Sequence, residues 1–263
     1  MRARLAAAFG MKRSSSYWRH VQPAKDEALL ERITAVMERH PAYGHERIAM
    51  ELQVGKERVR KLMRAHGLKP AIRRVHPWSK PKDGSPQVEL RNLIRDTIAA
   101  KPSHIWASDF TYLCFHGTWY YLATVLDVFD REIVGWQLGK RHKAQLIHLA
   151  YCDALSKHPP PAILHADQGS EYTAESTKQL VELTNGRMSY SAKGPPWQNG
   201  FQESFYQNFK LELGDLDRFE HEGELFEAIA KQIYYYNHER IHTALKTNPV
   251  SYKAAYLAMN GSE

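Results

Sequence analysis

Two groups of residues in this sequence have the types and spacing for chemistry. The first is H-E-R-I-H at 238–242, in which two histidines stand four apart and a glutamate follows the first. On a helix this spacing places both imidazoles on one face, where they can bind Zn²⁺ beside a glutamate acting as general base. The second group is three carboxylates, Asp109, Asp167 and Glu203. If separate elements bring them together, they can hold two magnesium ions, because hard divalent cations prefer oxygen ligands.

The zinc interpretation lacks a third ligand. A zinc protease of this type also needs a histidine or glutamate from another element downstream, and the only acid after His242 is Glu263. The extended form of the motif would need a glycine and a histidine where this chain has Leu245 and Asn248. A pattern with three fixed positions also arises easily in a chain with 14 histidines. We therefore interpret the motif as scaffold, with His238 and His242 on one helix face and no metal between them.

Each of the three acids lies in an element that the sequence pattern predicts. Residues 105–115, IWASDFTYLCF, alternate and are rich in aromatic and β-branched residues, which predicts a strand with Asp109 in its middle. Asp167 ends the short buried strand AILHAD at 162–167, and α/β sheets place ligand sites at the carboxyl ends of central strands. Glu203 lies in an amphipathic helix that follows a Pro-Pro loop.

The rest of the pattern predicts a domain of mixed layers. Two further strands, WYYLATVLDVF and EIVGWQL, complete a three-stranded antiparallel meander, with Asp127 and Asp130 in the turn between them. Helices are expected at 88–100, 143–157 and 173–184, and a short strand at RMSYS. Strands followed by strand–helix units indicate an α/β (α+β) domain.

The front of the chain is strongly basic. Residues 1–90 hold 19 Lys and Arg against 9 Asp and Glu, whereas residues 91–263 hold 17 against 20. Within 41–70 the apolar pattern predicts two short helices about a turn at Gly55, the plan of a helix-turn-helix that presents side chains to a DNA groove. The second helix carries the cations Lys56, Arg58, Arg60, Lys61 and Arg64. A helical hairpin with a charged outer face is the alternative, and the basic second helix favours DNA binding.

The composition argues against two classes of protein. Cys114 and Cys152 are the only cysteines, so the chain has no disulfide framework. No apolar run approaches membrane-spanning length. We therefore expect a cytoplasmic protein without a membrane partner.

Six stretches, in order along the chain, resemble one family. They are YGHERIAMEL with RVRKLMRAHGL, WASDFTYL, GTWYYLATVLDVFDREIVGW, LHADQGSEYTA, SYSAKGPPWQNGFQESFYQNFKLEL and YYNHERIHTAL. Together they are similar to the DDE transposases and retroviral-type integrases, and most closely to the OrfB-type transposases of bacterial insertion sequences. This resemblance covers nearly the whole chain. It implies a ribonuclease-H-like catalytic core, a mixed sheet flanked by helices, whose acidic triad falls on Asp109, Asp167 and Glu203.

The resemblance also implies a reaction. Two Mg²⁺ or Mn²⁺ ions on the triad would activate water or a DNA 3′-hydroxyl for in-line attack on a phosphodiester, so that element ends are cleaved and joined to target DNA. His165 resembles a position beside the site, and a packed strand histidine is the equal alternative. Lys193, Asn199 and Lys210 are candidate DNA contacts. Gln198 departs from the aspartate that the family more commonly has there.

Four regions are expected. They are a helix-turn-helix DNA-binding region at 1–68, a basic Pro-rich linker with a connecting helix at 69–100, an integrase-type core at 101–220 and a C-terminal helical extension at 221–263. The resemblance implies a bacterial, nucleoid-associated protein whose partners are double-stranded DNA, further copies of the chain and, in elements that encode two halves, an upstream DNA-binding half. The alternative function is a DNA-binding partner or regulatory half with little activity alone.

Overall fold

The structure, a computed structural model, describes residues 22–72, 91–94, 97–191 and 200–260. The chain divides into two compact units, Met1–Arg73 and Arg74–Glu263. Much of the predicted linker at 69–100 lies outside the described residues. Among the helices that the structure describes, none is long and apolar enough to cross a membrane.

The first unit contains three described helices. They are α1 (Gln22–Arg39), α2 (His45–Leu52) and α3 (Lys56–Ala65). Apolar side chains from all three are buried together, namely Leu29, Ile33, Val36, Ile48, Val59 and Met63. Gly55 directly precedes α3, so α2 and α3 form the predicted pair of helices about a turn. Arg58 of α3 donates two hydrogen bonds to the carboxylate of Asp26 on α1, at 2.7 and 3.0 Å, and so fixes α3 against α1.

The second unit is built on a mixed sheet. Its strands are β1 (Ile105–Phe115), β2 (Thr118–Asp127), β3 (Ile133–Gly139), β4 (Ile163–Ala166) and β5 (Arg187–Tyr190). Its helices are α4 (Ala144–Leu155), α5 (Ser170–Thr173), α6 (Glu175–Leu183), α7 (Gly200–Leu213), α8 (Glu222–His238) and α9 (Pro249–Asn260).

The strand order is β3-β2-β1-β4-β5. The first three strands form the predicted antiparallel meander, and β4 and β5 join it in parallel. His116 and Gly117 connect β1 to β2, both with positive φ (45° and 72°), as a tight two-residue hairpin turn requires. The sheet is therefore of mixed direction, as predicted, with β1 at its centre.

Helices cover both faces of this sheet. On one face, α7 and α8 pack against alternate residues of β1, among them Ile105, Ala107, Leu113 and Phe115. On the other face, α4 and α6 pack against Trp106 and the residues of β2 and β3 beside it. Close approach of α4 depends on Gly135 of β3, because a methyl group there would lie 2.3 Å from the carbonyl oxygen of Ala150.

One predicted helix is wrong for the residues that the structure describes. Residues 91–94 and 97–100, within the predicted helix at 88–100, are not helical. Their backbone groups bond to β5 instead: Tyr190 N–H donates to the Arg91 carbonyl at 3.1 Å, and Leu93 N–H donates to Ser189 Oγ at 2.9 Å. Tertiary pairing thus takes the groups that a helix would have used. The helix predicted at 173–184 is present as α5 and α6 with a break at Ala174.

Candidate active site

Asp109 and Asp167 occupy equivalent positions on neighbouring parallel strands. The pairing of β1 with β4 ends at Ala107 and His165, and each acid lies two residues beyond that last pair. Asp109 is half-buried and Asp167 is exposed. Because parallel strands run in the same direction, both acids lie at the same level along the sheet. Asp167 directly follows β4, at the carboxyl end of a strand as expected, whereas Asp109 lies in the middle of β1.

Helix α7 is fixed on β1 by two buried polar side chains. Gln202 donates to the Ala107 carbonyl at 2.7 Å, and Tyr206, one turn later, donates to the Asp109 carbonyl at 2.6 Å. Both also bond to the hydroxyl of Thr124, at 2.9 and 2.7 Å. Thr124 pairs with Asp109 across the hairpin, and directly opposed residues of a sheet share a face. The Asp109 side chain therefore faces α7.

Glu203 follows Gln202 and lies in the first turn of α7, exposed. The buried side of the helix carries Phe205, Phe209 and Leu213, so the predicted apolar stripe leaves the carboxylate of Glu203 free of core packing. Gln202 and Tyr206 are not among the site residues predicted from the sequence. A signal was available, since two polar residues four apart lie on the buried side of an otherwise apolar helix face.

A buried tyrosine lies beside the two aspartates. Tyr172 of α5 bonds through its hydroxyl to Ser108 Oγ at 3.1 Å and is wholly buried. Burial, with the negative charges of Asp109 and Asp167, raises the pKa of Tyr172 well above its usual value. Burial and the charge of Asp109 do the same to the pKa of Tyr206. Both phenols are therefore neutral hydrogen-bonding groups that set the position of β1 near Asp109.

A second acid, Glu171, borders the same backbone position as Asp167. Gly169 N–H donates to Asp167 Oδ1 at 2.9 Å. A methyl group on Gly169 would lie 3.0 Å from that oxygen and 3.1 Å from Glu171 Oε2. Glu171 also pairs with His142 Nδ1 at 3.0 Å. The carboxylate beside Asp167 is therefore held in place by an imidazole from the segment after β3.

His165 is fully buried in β4. Its Nδ1 lies 3.0 Å from Ser189 Oγ on β5, and that oxygen also accepts the N–H of Leu93. The ring thus helps to hold β4 and β5 together directly before Asp167. This contact fits the alternative in which His165 is a packed strand histidine that supports the site.

The residues fit a divalent metal in their chemistry. Asp109, Asp167 and Glu203 carry carboxylate oxygens, the hard donors that Mg²⁺ and Mn²⁺ prefer. The carboxylates are not gathered into a ligand set, since the described residues contain no group of three or more His, Cys, Asp or Glu that could hold one ion.

The H-E-R-I-H motif has no helix across its length, which corrects the prediction that its histidines share a helix face. Helix α8 ends at His238, and His242 lies beyond it, in a bridge with Thr247. The N–H groups of Glu239 and Arg240 both donate to the Tyr235 carbonyl, which closes the helix. The geometry that a zinc protease needs is therefore missing.

The residues around this motif support the core instead. Asn237 exchanges two hydrogen bonds with the backbone of Ile133, at 2.9 and 3.0 Å, and so attaches α8 to the start of β3. Arg240 Nε donates to Glu212 on α7 at 2.8 Å, in a pair whose side chains are only 2% and 8% exposed. The motif thus holds the helix that carries Glu203.

The predicted DNA contacts differ in their surroundings. On α3, Lys56 pairs with Glu46, Arg58 with Asp26 and Arg60 with Glu57, whereas Lys61 and Arg64 are exposed without an acidic partner among the described residues. Lys210 is exposed at the end of α7, and partial desolvation lowers its pKa. Lys193 and Asn199 lie outside the described residues.

Comparisons with known proteins agree with this architecture. Two models described as integrase core domain match residues 99–196 and 185–249, and a model described as HTH-like domain matches residues 24–76. A chain from the cryo-EM structure of the simian T-cell lymphotropic virus intasome aligns with a TM-score of 0.53 at 18% identity, over 80% of this chain and 74% of that one. These matches confirm the ribonuclease-H-like fold and the helix-turn-helix region.

Bacterial relatives match almost end to end. The transposase for insertion sequence element IS904 of Lactococcus lactis is 35% identical over 86% of this chain and 94% of its own length. The putative transposase InsK for insertion sequence element IS150 of Escherichia coli is 29% identical over 91% of this chain and 89% of its own. The chain therefore belongs to the DNA transposases of insertion sequences that carry an integrase core, a family of polynucleotidyl transferases.

Proposed function

We propose that Asp109, Asp167 and Glu203 together hold the metal ions for cleavage and strand transfer at the ends of an insertion sequence. The observation that carries this proposal is the shared offset of the two aspartates on parallel strands. The attachment of α7 to β1 through Gln202 and Tyr206 supports the assignment of Glu203.

Bound Mg²⁺ or Mn²⁺, two ions in this proposal, supplies the charge that activates the attacking oxygen and stabilises the leaving 3′-oxygen. The chain's own residues provide placement. Asp109 and Asp167 present carboxylates at the same level along the sheet, and Glu203 adds one from α7. Gln202 and Tyr206 set the height of α7 on β1, so they are positioning residues. Preorganised donors of this kind contribute because they need no rearrangement during the reaction.

The four regions are proposed to have the separate roles that the sequence predicts for them. Region 1–68 would bind element ends in the major groove through the cations of α3, and 69–100 would link it to the core at 101–220. Region 221–263 would support that core. Lys193, Asn199 and Lys210 are proposed contacts to phosphate near the site.

The assembly is proposed to be a homo-oligomer on nucleoid DNA, because two double-stranded ends must be joined together. An upstream half of the transposase is a further candidate partner.

The test is strand transfer with terminal-repeat DNA. Wild-type chain with Mg²⁺ or Mn²⁺ should join the labelled end to target DNA, and Asp109→Asn, Asp167→Asn and Glu203→Gln should each lose this product. Calorimetric titration with Mn²⁺ should show weaker binding in the same three variants. Glu171→Gln is the matched control acid, because it borders Asp167 without belonging to the triad. Wild type as inert as Asp109→Asn would favour the alternative, a regulatory half without catalysis.

Gln202→Leu tests positioning. Loss of its bonds to Ala107 and Thr124 should lower the rate of strand transfer and leave binding of duplex DNA to the chain unchanged. Gln202→Glu keeps the acceptor for the Thr124 hydroxyl but places a buried carboxylate against the Ala107 carbonyl, so it should be impaired as well. Equal rates for wild type and Gln202→Leu would remove Gln202 from this role.

A further inference from the structure

The end of the β1–β2 hairpin carries large aromatic side chains that the rest of the unit leaves uncovered. Tyr112 is 50% exposed, Trp119 is 56% exposed and Tyr121 is half-buried. Their rings lie side by side, with Tyr112 at 6.4 Å from Trp119 and 5.3 Å from Tyr121 between ring centroids. His142 adds a fourth ring, at 5.9 Å from Tyr112 and 5.2 Å from Tyr121. We name Tyr112, Trp119, Tyr121 and His142 the aromatic patch.

The patch lies on the sheet face that α4 only partly covers. Further along the same strands, Ala123 and Val125 are wholly buried beneath α4. Helix α4 begins at Ala144, so the hairpin extends beyond its N-terminal end. Where helices cover the sheet, its side chains are aliphatic or buried aromatic residues. At the end of the β1–β2 hairpin, by contrast, the exposed rings of tyrosine and tryptophan carry a polar O–H or N–H group. Exposed apolar groups of this kind mark interaction sites.

Two cations border the patch along the chain. Arg141 and Lys143 flank His142 in the chain, and both are exposed. Neither has an acidic partner among the residues that the structure describes, whereas the neighbouring Lys140 pairs with Glu222. Two unpaired cations next to a cluster of exposed rings indicate a ligand that has both flat apolar groups and negative charge.

The patch lies on the opposite face of the sheet from the Asp109 side chain, and contacts connect it to Asp167 around the end of β4. Phe110, which follows Asp109, contacts the His142 ring edge-to-face with centroids 3.9 Å apart. His142 in turn pairs with Glu171, beside Asp167. On the β4 side, β1 has no strand partner beyond Ala107 among the described residues.

From this arrangement we infer that the aromatic patch, with Arg141 and Lys143, binds unpaired nucleotides of a DNA strand that leaves the active site. Bases stack on aromatic rings regardless of sequence, and cations beside the rings bind the phosphates. Duplex DNA keeps its bases stacked on one another and offers the rings only its backbone. The inference rests on the proposed function, since it assigns a strand path to that same site.

A second copy of the chain is the other candidate occupant. In a symmetric dimer both copies contribute the same surface, so the interface would contain Arg141 and Lys143 from each copy. Like charges placed opposite each other disfavour such a contact. The charge of the border therefore favours DNA.

The test uses the full chain and a labelled single-stranded oligothymidylate of about 16 nucleotides. Fluorescence anisotropy should show that Tyr112→Ala and Trp119→Ala each bind this oligonucleotide about tenfold more weakly than wild type does. Tyr112→Phe and Trp119→Phe keep a ring and should bind nearly as wild type. Arg141→Gln with Lys143→Gln should weaken binding and flatten its salt dependence. The matched control is Tyr234→Ala, since Tyr234 is 57% exposed on α8 and stacks only on His238.

Cys114 offers a direct position test. It is exposed and stands opposite Trp119 in the hairpin register. With Cys152→Ser as background, an oligonucleotide bearing a thiol-tethered base should form a disulfide at Cys114, and excess unmodified oligothymidylate should compete.

Unchanged oligothymidylate affinity in both alanine variants would overturn the inference. The inference would also be overturned if the alanine variants bound the single strand normally but had a lower oligomeric mass by light scattering. A second copy of the chain would then be the occupant of the patch. These results leave the proposed function standing if Asp109→Asn still abolishes strand transfer. Conversely, wild-type chain that binds oligothymidylate through the patch but shows no strand transfer would contradict the proposed function alone.

Discussion

Two sets of three carboxylates in the second unit have opposite surroundings. Asp109, Asp167 and Glu203, the proposed triad, come from three separate parts of the chain: the middle of β1, the residue after β4 and the first turn of α7. The other set is Asp127, Asp130 and Glu132, close in sequence and buried in the turn between β2 and β3. The second set is the denser in sequence, yet its oxygens are turned inward.

The turn acids are occupied by the protein itself. Asp127 accepts the N–H groups of Ser103 and Phe129, at 2.6 and 2.9 Å, and Asp130 accepts the N–H of Glu132 at 2.9 Å. Glu132 accepts from Lys253 at 2.9 Å. Acids held this way stabilise a turn, whereas the side chains of Asp167 and Glu203 are exposed to solvent. Exposure therefore separates the proposed site from the turn more sharply than the number of acids does.

The largest effects are expected when one acid of each set is substituted in turn. Asp167→Asn should lower strand transfer by about 1000-fold with little change in melting temperature, because an exposed side chain is lost from the proposed metal site. Asp127→Ala should do the reverse: it leaves two buried N–H groups without acceptors, which costs about 1–3 kcal/mol for each. Strand-transfer rates per folded molecule and thermal melting measure both. Loss of activity without loss of stability in Asp127→Ala would break the comparison.

Breaking the buried pair between α7 and the end of α8 should cost about 3–5 kcal/mol of unfolding free energy. Arg240→Met leaves Glu212 as an uncompensated buried charge. Glu212→Gln likewise leaves the buried charge of Arg240 uncompensated. Urea denaturation of each variant measures the loss. The joint change Arg240→Met with Glu212→Leu should recover much of it, since an apolar pair carries no desolvation cost. If both single changes are silent, the pair does not support α7.

The free energy of unfolding should depend on pH through the protonation of Asp130. Burial, and then the charge of Asp127, raises the pKa of Asp130 to about 8 from an unfolded value of 3.8. The folded state therefore binds the proton more tightly, so stability present below pH 3.8 is lost as pH rises toward 8. The slope is at most about 1.4 kcal/mol per pH unit.

Asp130→Asn should remove this decline, so that its advantage over wild type grows from pH 5 to pH 8 in urea titrations. Its amide oxygen can still accept the Glu132 N–H. A constant difference across that range would show that Asp130 does not titrate in the folded state.

The smallest effects are expected on α3. Lys61→Gln should weaken duplex binding a few-fold and reduce the salt slope by about one, because Lys61 is exposed without an acidic partner among the described residues. Arg58→Gln should instead lower the stability of the first unit by up to about 1 kcal/mol, through loss of the bonds to Asp26. Identical effects of the two changes on DNA binding would show that Arg58 also reaches DNA.

Local pattern accounts for much of what the sequence predicted. The alternation in 105–115 placed Asp109 on a strand, and the motif order identified the family before any contact was known. The basic helix and its turn at Gly55 follow from apolar spacing alone. Each of these features depends on residues that are neighbours in the chain.

The misses depend on contacts between distant segments. Arg91 and Leu93 give their backbone groups to β5, which removes a helix that their local pattern permitted. Arg240 is held by Glu212, and α8 closes two residues before it. Gln202 bonds to Ala107, 95 positions earlier in the chain. No window along the sequence contains both members of these pairs.

The attachment of Asn237 to Ile133 spans 104 positions, and it has a consequence for synthesis on the ribosome. The hairpin strands can pair as they emerge, but the face that α8 covers waits for residues made about 100 positions later. At about 5–20 residues per second, that face stays open for roughly 5–20 s. During this interval the nascent chain exposes its apolar strands, so chaperone binding should be concentrated before Leu225, Ile229 and Ile233 have been added.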